Sequence, residues 1–431
     1  MNGVSTPGPR PEHPSRECWV LIASGLAALA PYAAFHGMFG RLYWFGDEYD
    51  LIDQFDRLGF WKWIWTMFAE NFVPVFKLLW GGGIFVFRGS YGAMIAMVWL
   101  THAVNVALLG RLMRTCGLSW AAVALAQAVF ALTPANLETL AWSVQWSAVL
   151  SATFMLLAFE AFLKAPGGRS SFAWAAISAL SFSRGVLAGP LLALGCFWPD
   201  PGAVPPSPSR RMARVAGYLL PAAAIALLIA AFAAGNHRHL GGHLEEAAAF
   251  GAWYYLLNPA LDVLSVESLG WHTVAALGLC KVALVVWALG RSRDRQRLLF
   301  ALLVAFDLGN AVLLGIGRYH TGLPAAAGSR YQYASLIGIM PLAGFWFSRQ
   351  WARLPVPANL RDLGAIVVLA AGAFYMCRQW PTVLGPFTSS RGTESRRILL
   401  IDPDPGPNSV PGIPGLPTER VKLLIAKYKL H

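Results

Sequence analysis

Apolar runs long enough to cross a bilayer recur along this chain, and they limit its fold more than any other feature. Trp19 to Phe39, Tyr91 to Met113, Leu140 to Leu163, Val215 to Ala233 and Trp271 to Leu289 are the clearest. About 17–25 predominantly apolar residues suffice to span as a helix. In lipid, backbone N–H and C=O groups must be satisfied within the spanning structure, which helices do. Hydrophobic residues make up 56% of the 431 and charged residues 13%, more apolar surface than a soluble domain needs. The expected fold is all-α, a polytopic transmembrane helical bundle of about eleven spans.

Charge sets the expected orientation. The net charge of +12 is not a nucleic-acid signal, because much of the Arg lies in short loops between apolar runs and no nucleic-acid-binding motif accompanies it. Arg291, Arg293, Arg295 and Arg297 form the densest such loop. By the positive-inside rule these loops are cytoplasmic, the N-terminus is inside and the C-terminus outside. The expected organisation is a cytoplasmic tail (1–18), a transmembrane domain (19–378) with a long outer loop (41–90), and an outer C-terminal tail (379–431). The first run reads as a retained anchor, being too long for a signal-peptide core. Cys18, Cys116, Cys196, Cys280 and Cys377 are scattered, without metal or disulfide spacing. Trp and Tyr are plentiful and suit anchoring among membrane lipids at the interface.

The outer loop opens with Gly46-Asp47-Glu48-Tyr49-Asp50, followed by Asp53 and Asp56. The spacing predicts a helix with Asp47 as N-cap, acids in its first turn and an apolar face of Leu51, Ile52, Phe55 and Leu58. It would lie on the membrane surface with its carboxylates toward water. The purely structural alternative is a cap plus a solvated acidic face. Phe172 to Trp198 breaks at Ser183-Arg184-Gly185, and both its flanks are basic, so it reads as a hairpin of two half-helices. Thr418-Glu419 open an amphipathic helix with Val421, Leu424, Ile425 and Tyr428. Lys281 and Asp307 lie near the middles of consecutive antiparallel spans. A lone charge there costs about 2.5–3.5 kcal/mol on insertion scales, so a buried ion pair is expected. His237, His239 and His243 have loose metal-ligand spacing, but a solvated loop explains them better. No cofactor signature is present, and a requirement for a divalent metal stays open.

The layout resembles the GT-C class of integral membrane glycosyltransferases, which use polyprenyl-phosphate-sugar donors. The residues that carry the resemblance are Asp47-Glu48 after the first span, Asn71-Phe72-Val73-Pro74, His102 and Asn105 in the next span, and Ser329-Arg330-Tyr331 opening a late span. Asn71 stands where that pattern has His. The resemblance covers roughly residues 19–350 in layout, each motif being short. It implies a sugar transferase of the bacterial inner membrane. Its product would be an envelope glycan, lipid or protein modified on the outer face, and its partner a polyprenyl-phosphate-linked sugar donor.

It also implies that Asp47 is the catalytic acid, with Glu48 as the substitute. The chemistry fits, because glycosyl transfer needs a base for the acceptor hydroxyl and stabilisation of positive charge on the sugar. Cations must balance the leaving lipid phosphate. Arg318, His320, Arg330 and Tyr331 lie on the expected outer side, with Lys77, Arg184 and Glu138 as further substrate-binding candidates; headgroup snorkelling is the bland alternative for the arginines. Two other readings compete: a transporter or lipid-linked-sugar flippase, which would use Arg184 and the Lys281/Asp307 pair near the midplane, and a non-catalytic membrane scaffold.

Overall fold

The computed structural model describes residues 14–69, 71–198, 206–236, 243–263, 270–401 and 416–431, and every regular element among them is helical. The first apolar run forms α1 (Pro14–Ala27), α2 (Ala30–Ala34) and α3 (His36–Phe39). The segment expected as an outer loop holds α4 (Asp47–Leu58), α5 (Phe60–Ile64) and α6 (Pro74–Val86). Next come α7 (Tyr91–Thr115) and α8 (Trp120–Leu132), whose cap serines Ser90 and Ser119 accept hydrogen bonds from the N–H groups of Ala93 and Ala122. At Pro134 the chain bends by 50° and continues through α9 (Leu137–Leu140) into α10 (Trp146–Lys164).

The hairpin is α11 (Arg169–Ala179) and α12 (Ala188–Gly195), joined by a tight helical turn, Ser183–Leu187. Then follow α13 (Pro208–Asn236), α14 (Leu244–Leu257), α15 (Ala260–Val263), α16 (Trp271–Arg291), α17 (Asp294–Arg318), α18 (Ser329–Trp351) and α19 (Ala358–Thr388). A π-helical turn, Ser389–Thr393, leads into α20 (Glu394–Leu400), and the chain ends with α21 (Thr418–Tyr428). The helix thus runs without a break past the expected start of the tail at residue 379.

Among the described residues, six helices are long and apolar enough to cross a membrane, or seven if the bent 120–140 pair is one span. This is the architecture of a multi-pass membrane protein, with fewer full-length spans than the eleven expected. The difference lies in broken segments. The first run is interrupted around Pro31, and the hairpin halves have 11 and 8 residues. α10 is the axial helix: 83% of its apolar window is buried, against 11% for the Asn359–Leu400 segment, whose Ile366, Val367 and Phe374 are exposed where lipid would lie.

The two ends of the bundle differ in charge. At one end Arg111 and Lys164 share Glu160. There the turn at Gly117 accepts a hydrogen bond from Gln296, next to Arg293 and Arg295, and the turn at Gly167 lies against Arg214. The opposite end carries α4, the 133–145 turns, the start of α18, the π turn and α21. The expected Lys281–Asp307 pair is formed, buried, at 2.7 Å. Lys281 also donates to the Asn258 carbonyl and the Ser335 hydroxyl, so all three ammonium protons have acceptors.

Candidate functional site

α4 differs from its expected form at its cap and in the direction of its acids. Gly46, not Asp47, is the N-cap; its φ of 55° lies in the left-handed region that favours glycine. Asp47 is the first helical residue and is exposed. Glu48 points the other way and is fully buried. Its carboxylate accepts from the Phe45 N–H at 2.7 Å, from the Ser143 N–H at 3.1 Å and from the Ser143 hydroxyl, with Tyr91 also bonded to it. Trp80 donates to the same Ser143 hydroxyl. Burial pushes the Glu48 carboxyl up to about 8 even though those hydrogen bonds oppose the shift. Glu48 therefore ties α4 to the chain entering α10 and is closed to substrate, which corrects its expected role as substitute catalyst.

Asp53 and Asp56 do not face water either. Arg420 bonds both at 2.8 Å, and Lys427 and Tyr428 bond Asp56, so α21 clasps α4. Solvent reaches Asp47, which is exposed, and the half-buried Asp50, one turn apart on the same face. Burial, then the neighbouring Asp47 and Asp53, pushes the Asp50 carboxyl up to about 6. A carboxyl group that titrates near 6 is suited to proton transfer near neutral pH.

Beside this pair lies a cationic cluster. The Arg391 guanidinium sits over the rings of Phe45, Trp142 and Phe387 at 5.3, 5.4 and 4.8 Å and pairs with Glu138 at 2.8 Å. Arg330 reaches the same carboxylate at 3.9 Å. Its carbonyl accepts from the Thr139 hydroxyl, and its guanidinium lies over the Tyr331 ring. Phe45 is two residues before Asp47, so Arg391 lies near the start of α4. Arg391 is carried by the π turn, a local irregularity often found at functional sites. Gly392 lets that turn approach closely: a Cβ there would meet the Arg41 carbonyl at 2.3 Å. Arg391 was not among the sequence candidates, because it lies in the segment read as a tail.

Of the remaining candidates, Lys77 is corrected outright. It is fully buried and donates to the Trp63 carbonyl and to the carbonyl and hydroxyl of Thr66, all within 3.1 Å. That holds α6 against the α5 turn and uses every donor it has. Arg318 and His320 close α17 near the paired His243 and Glu246, with Tyr319 stacked on His243. Tyr319, between them, packs against the apolar cluster that also holds Tyr331. Tyr331 opens α18 between that cluster and the bundle interior. Arg184 is buried at the hairpin break. His237 and His239 lie outside the described residues. Among the described residues no group of three His, Cys, Asp or Glu side chains could hold a metal ion.

Comparison with known protein families and with curated proteins gives no match to this chain.

Proposed function

We propose that the protein is a membrane glycosyltransferase moving a sugar from a polyprenyl-phosphate donor to an envelope glycan, lipid or protein acceptor on the outer face. The observation that carries this reading is that the exposed Asp47 and half-buried Asp50 lie at the same end of the bundle as Arg391 and Arg330, opposite the basic turns, with Arg391 over Phe45 two residues before Asp47. Asp47 takes the acceptor hydroxyl proton as the acceptor oxygen bonds to the anomeric carbon. The bond from that carbon to the donor phosphate breaks, and the lipid phosphate leaves with the electron pair. Arg391 and Arg330 balance its charge, while the Phe45 and Trp142 rings offer apolar faces to the sugar. The transporter reading is weaker, because Lys281 and Asp307 already satisfy each other.

The test is transfer from lipid-phosphate sugars in membranes. A positioned base contributes about 10²–10⁴-fold, so Asp47→Asn should lose that much turnover with normal expression. Arg330→Ala should mainly raise the donor concentration required. Full activity in Asp47→Asn would remove Asp47 as the base, and no transfer by the native protein from any such donor would remove the reading.

A further inference from the structure

Arg184 stands out among the charged side chains inside the bundle because its charge is unanswered. It is only 6% exposed, and its turn packs among α10, α11, α12, α13 and α17. Its Nε is enclosed without a hydrogen-bond partner, and its one specific contact among the described residues is with the Phe182 ring, at 5.0 Å. The ionisable groups that act on it are the phenols of Tyr254, Tyr333 and Tyr331. The nearby carboxylate, Asp307, is committed to Lys281, Ser335 and Tyr254.

Proteins do not leave buried guanidinium groups in this state without a reason, since desolvating the charge is compensated only by an anion or by hydrogen-bond acceptors. The surroundings are arranged for an oxyanion. A planar guanidinium offers paired donors that match phosphoryl oxygens. Tyr333, held by Asn105 at 2.9 Å and His102 at 3.0 Å, adds a fixed hydroxyl. Tyr331, one of the phenols that act on Arg184, has its ring covered by the Arg330 guanidinium at 5.1 Å.

We infer that Arg184, at the break between α11 and α12, anchors an internal binding site for a phosphoryl group. The site does not depend on the transferase reading. Its ligand is either a phosphate-bearing lipid entering the bundle or a soluble phosphate.

The full-length protein in phosphate-free neutral detergent provides the test, by native mass spectrometry and thermal melting. The probes are dioleoyl phosphatidic acid, dioleoylglycerol with the same tails, and inorganic phosphate. Phosphatidic acid should bind and raise the melting temperature, whereas dioleoylglycerol should not. Arg184→Gln should weaken binding about ten-fold or more, and Arg184→Lys, which keeps the charge but loses the fork, should fall between. Without ligand, Arg184→Gln should melt no lower than wild type, because the lost charge had no partner. Arg184-dependent binding of inorganic phosphate at equal strength would assign the soluble source, and preference for phosphatidic acid the lipid. Equal phosphatidic acid binding by wild type and both variants, or none of either phosphate probe by wild type, would overturn the site. Arg184-dependent binding in a protein that transfers no sugar would overturn the proposed function alone.

Discussion

Glu48 and Asp47 are adjacent in sequence and opposite in chemistry. One helical step turns a carboxylate from water into a cage of Ser143, Phe45 and Tyr91. Burial holds the Glu48 proton up to about 8, above the 4.5 of an unfolded glutamate. The unfolded chain thus releases this proton first, and stability should fall as pH rises from about 4.5 to about 8. Glu48→Gln should flatten that slope in thermal melts. Glu48→Ala should instead destabilise at every pH, by about 1–3 kcal/mol for each N–H left unpaired. Asp50 leads to a different expectation. With its carboxyl raised to about 6, turnover that uses the ionised pair should decline as pH falls through about 6. Asp50→Asn should move that acid limb lower, and an unmoved limb in the pH–rate profile would exclude Asp50 from it. The cluster of acids was legible in the sequence, but its division into buried, clasped and solvent-exposed members was not. Periodicity gives the helix face, whereas the partners that decide burial come from remote segments.

At the scale of elements, that remoteness is the main lesson. The hairpin break at Arg184, the Lys281–Asp307 pair and the α21 amphipathic pattern were readable, because each depends on local spacing or on a charge that must be answered. Arg391 was not, because it meets Glu138 across 253 positions and its π turn leaves no simple sequence pattern. The clasp of α21 on α4 was equally hidden. It joins Asp53 and Asp56 to Arg420, Lys427 and Tyr428, and Phe55 to the Tyr428 ring at 5.5 Å. Burial pushes Asp56 up, but hydrogen bonds from Lys427, Tyr428 and Arg420 outweigh it and hold the carboxyl down at about 2. A lowered carboxylate contributes stability that is complete above its unfolded value of 3.8 and disappears as pH falls through about 2. The C-terminal helix should therefore stay docked at neutral pH and loosen in strong acid. Arg420→Ala should expose it to limited proteolysis at pH 7, and unchanged cleavage would show that the apolar contacts alone hold it.

The whole molecule can be oriented from one helix. α7 has 25 residues, a length of about 37 Å at 1.5 Å per residue, which exceeds a hydrocarbon core of about 30 Å. The first helix of the chain lies against its C-terminal half: Gly25 meets the Ala103 carbonyl and Ala107, and Gly110 meets Leu21. The last residue sits at its other end, where the His431 carbonyl accepts from the Tyr91 N–H at 2.8 Å and the His431 N–H donates to the Gly89 carbonyl at 3.0 Å. α1 begins toward the end where Arg111 and Arg114 terminate α7, and the chain finishes at the end that carries Asp47. Positive charge marks the cytoplasmic side, so the first residues should be inside, with His431 and the acid-arginine rim outside. A phosphatase fused after His431 should be active across the membrane, while a cytoplasm-dependent fluorescent reporter at the same point should stay dark. Both fusions extend from His431, which is clamped to the start of α7, so they report the side on which Asp47 and Arg391 lie. The reverse result would place Asp47 and Asp50 in the cytoplasm, and the proposed transfer would then need a donor presented on the inner leaflet.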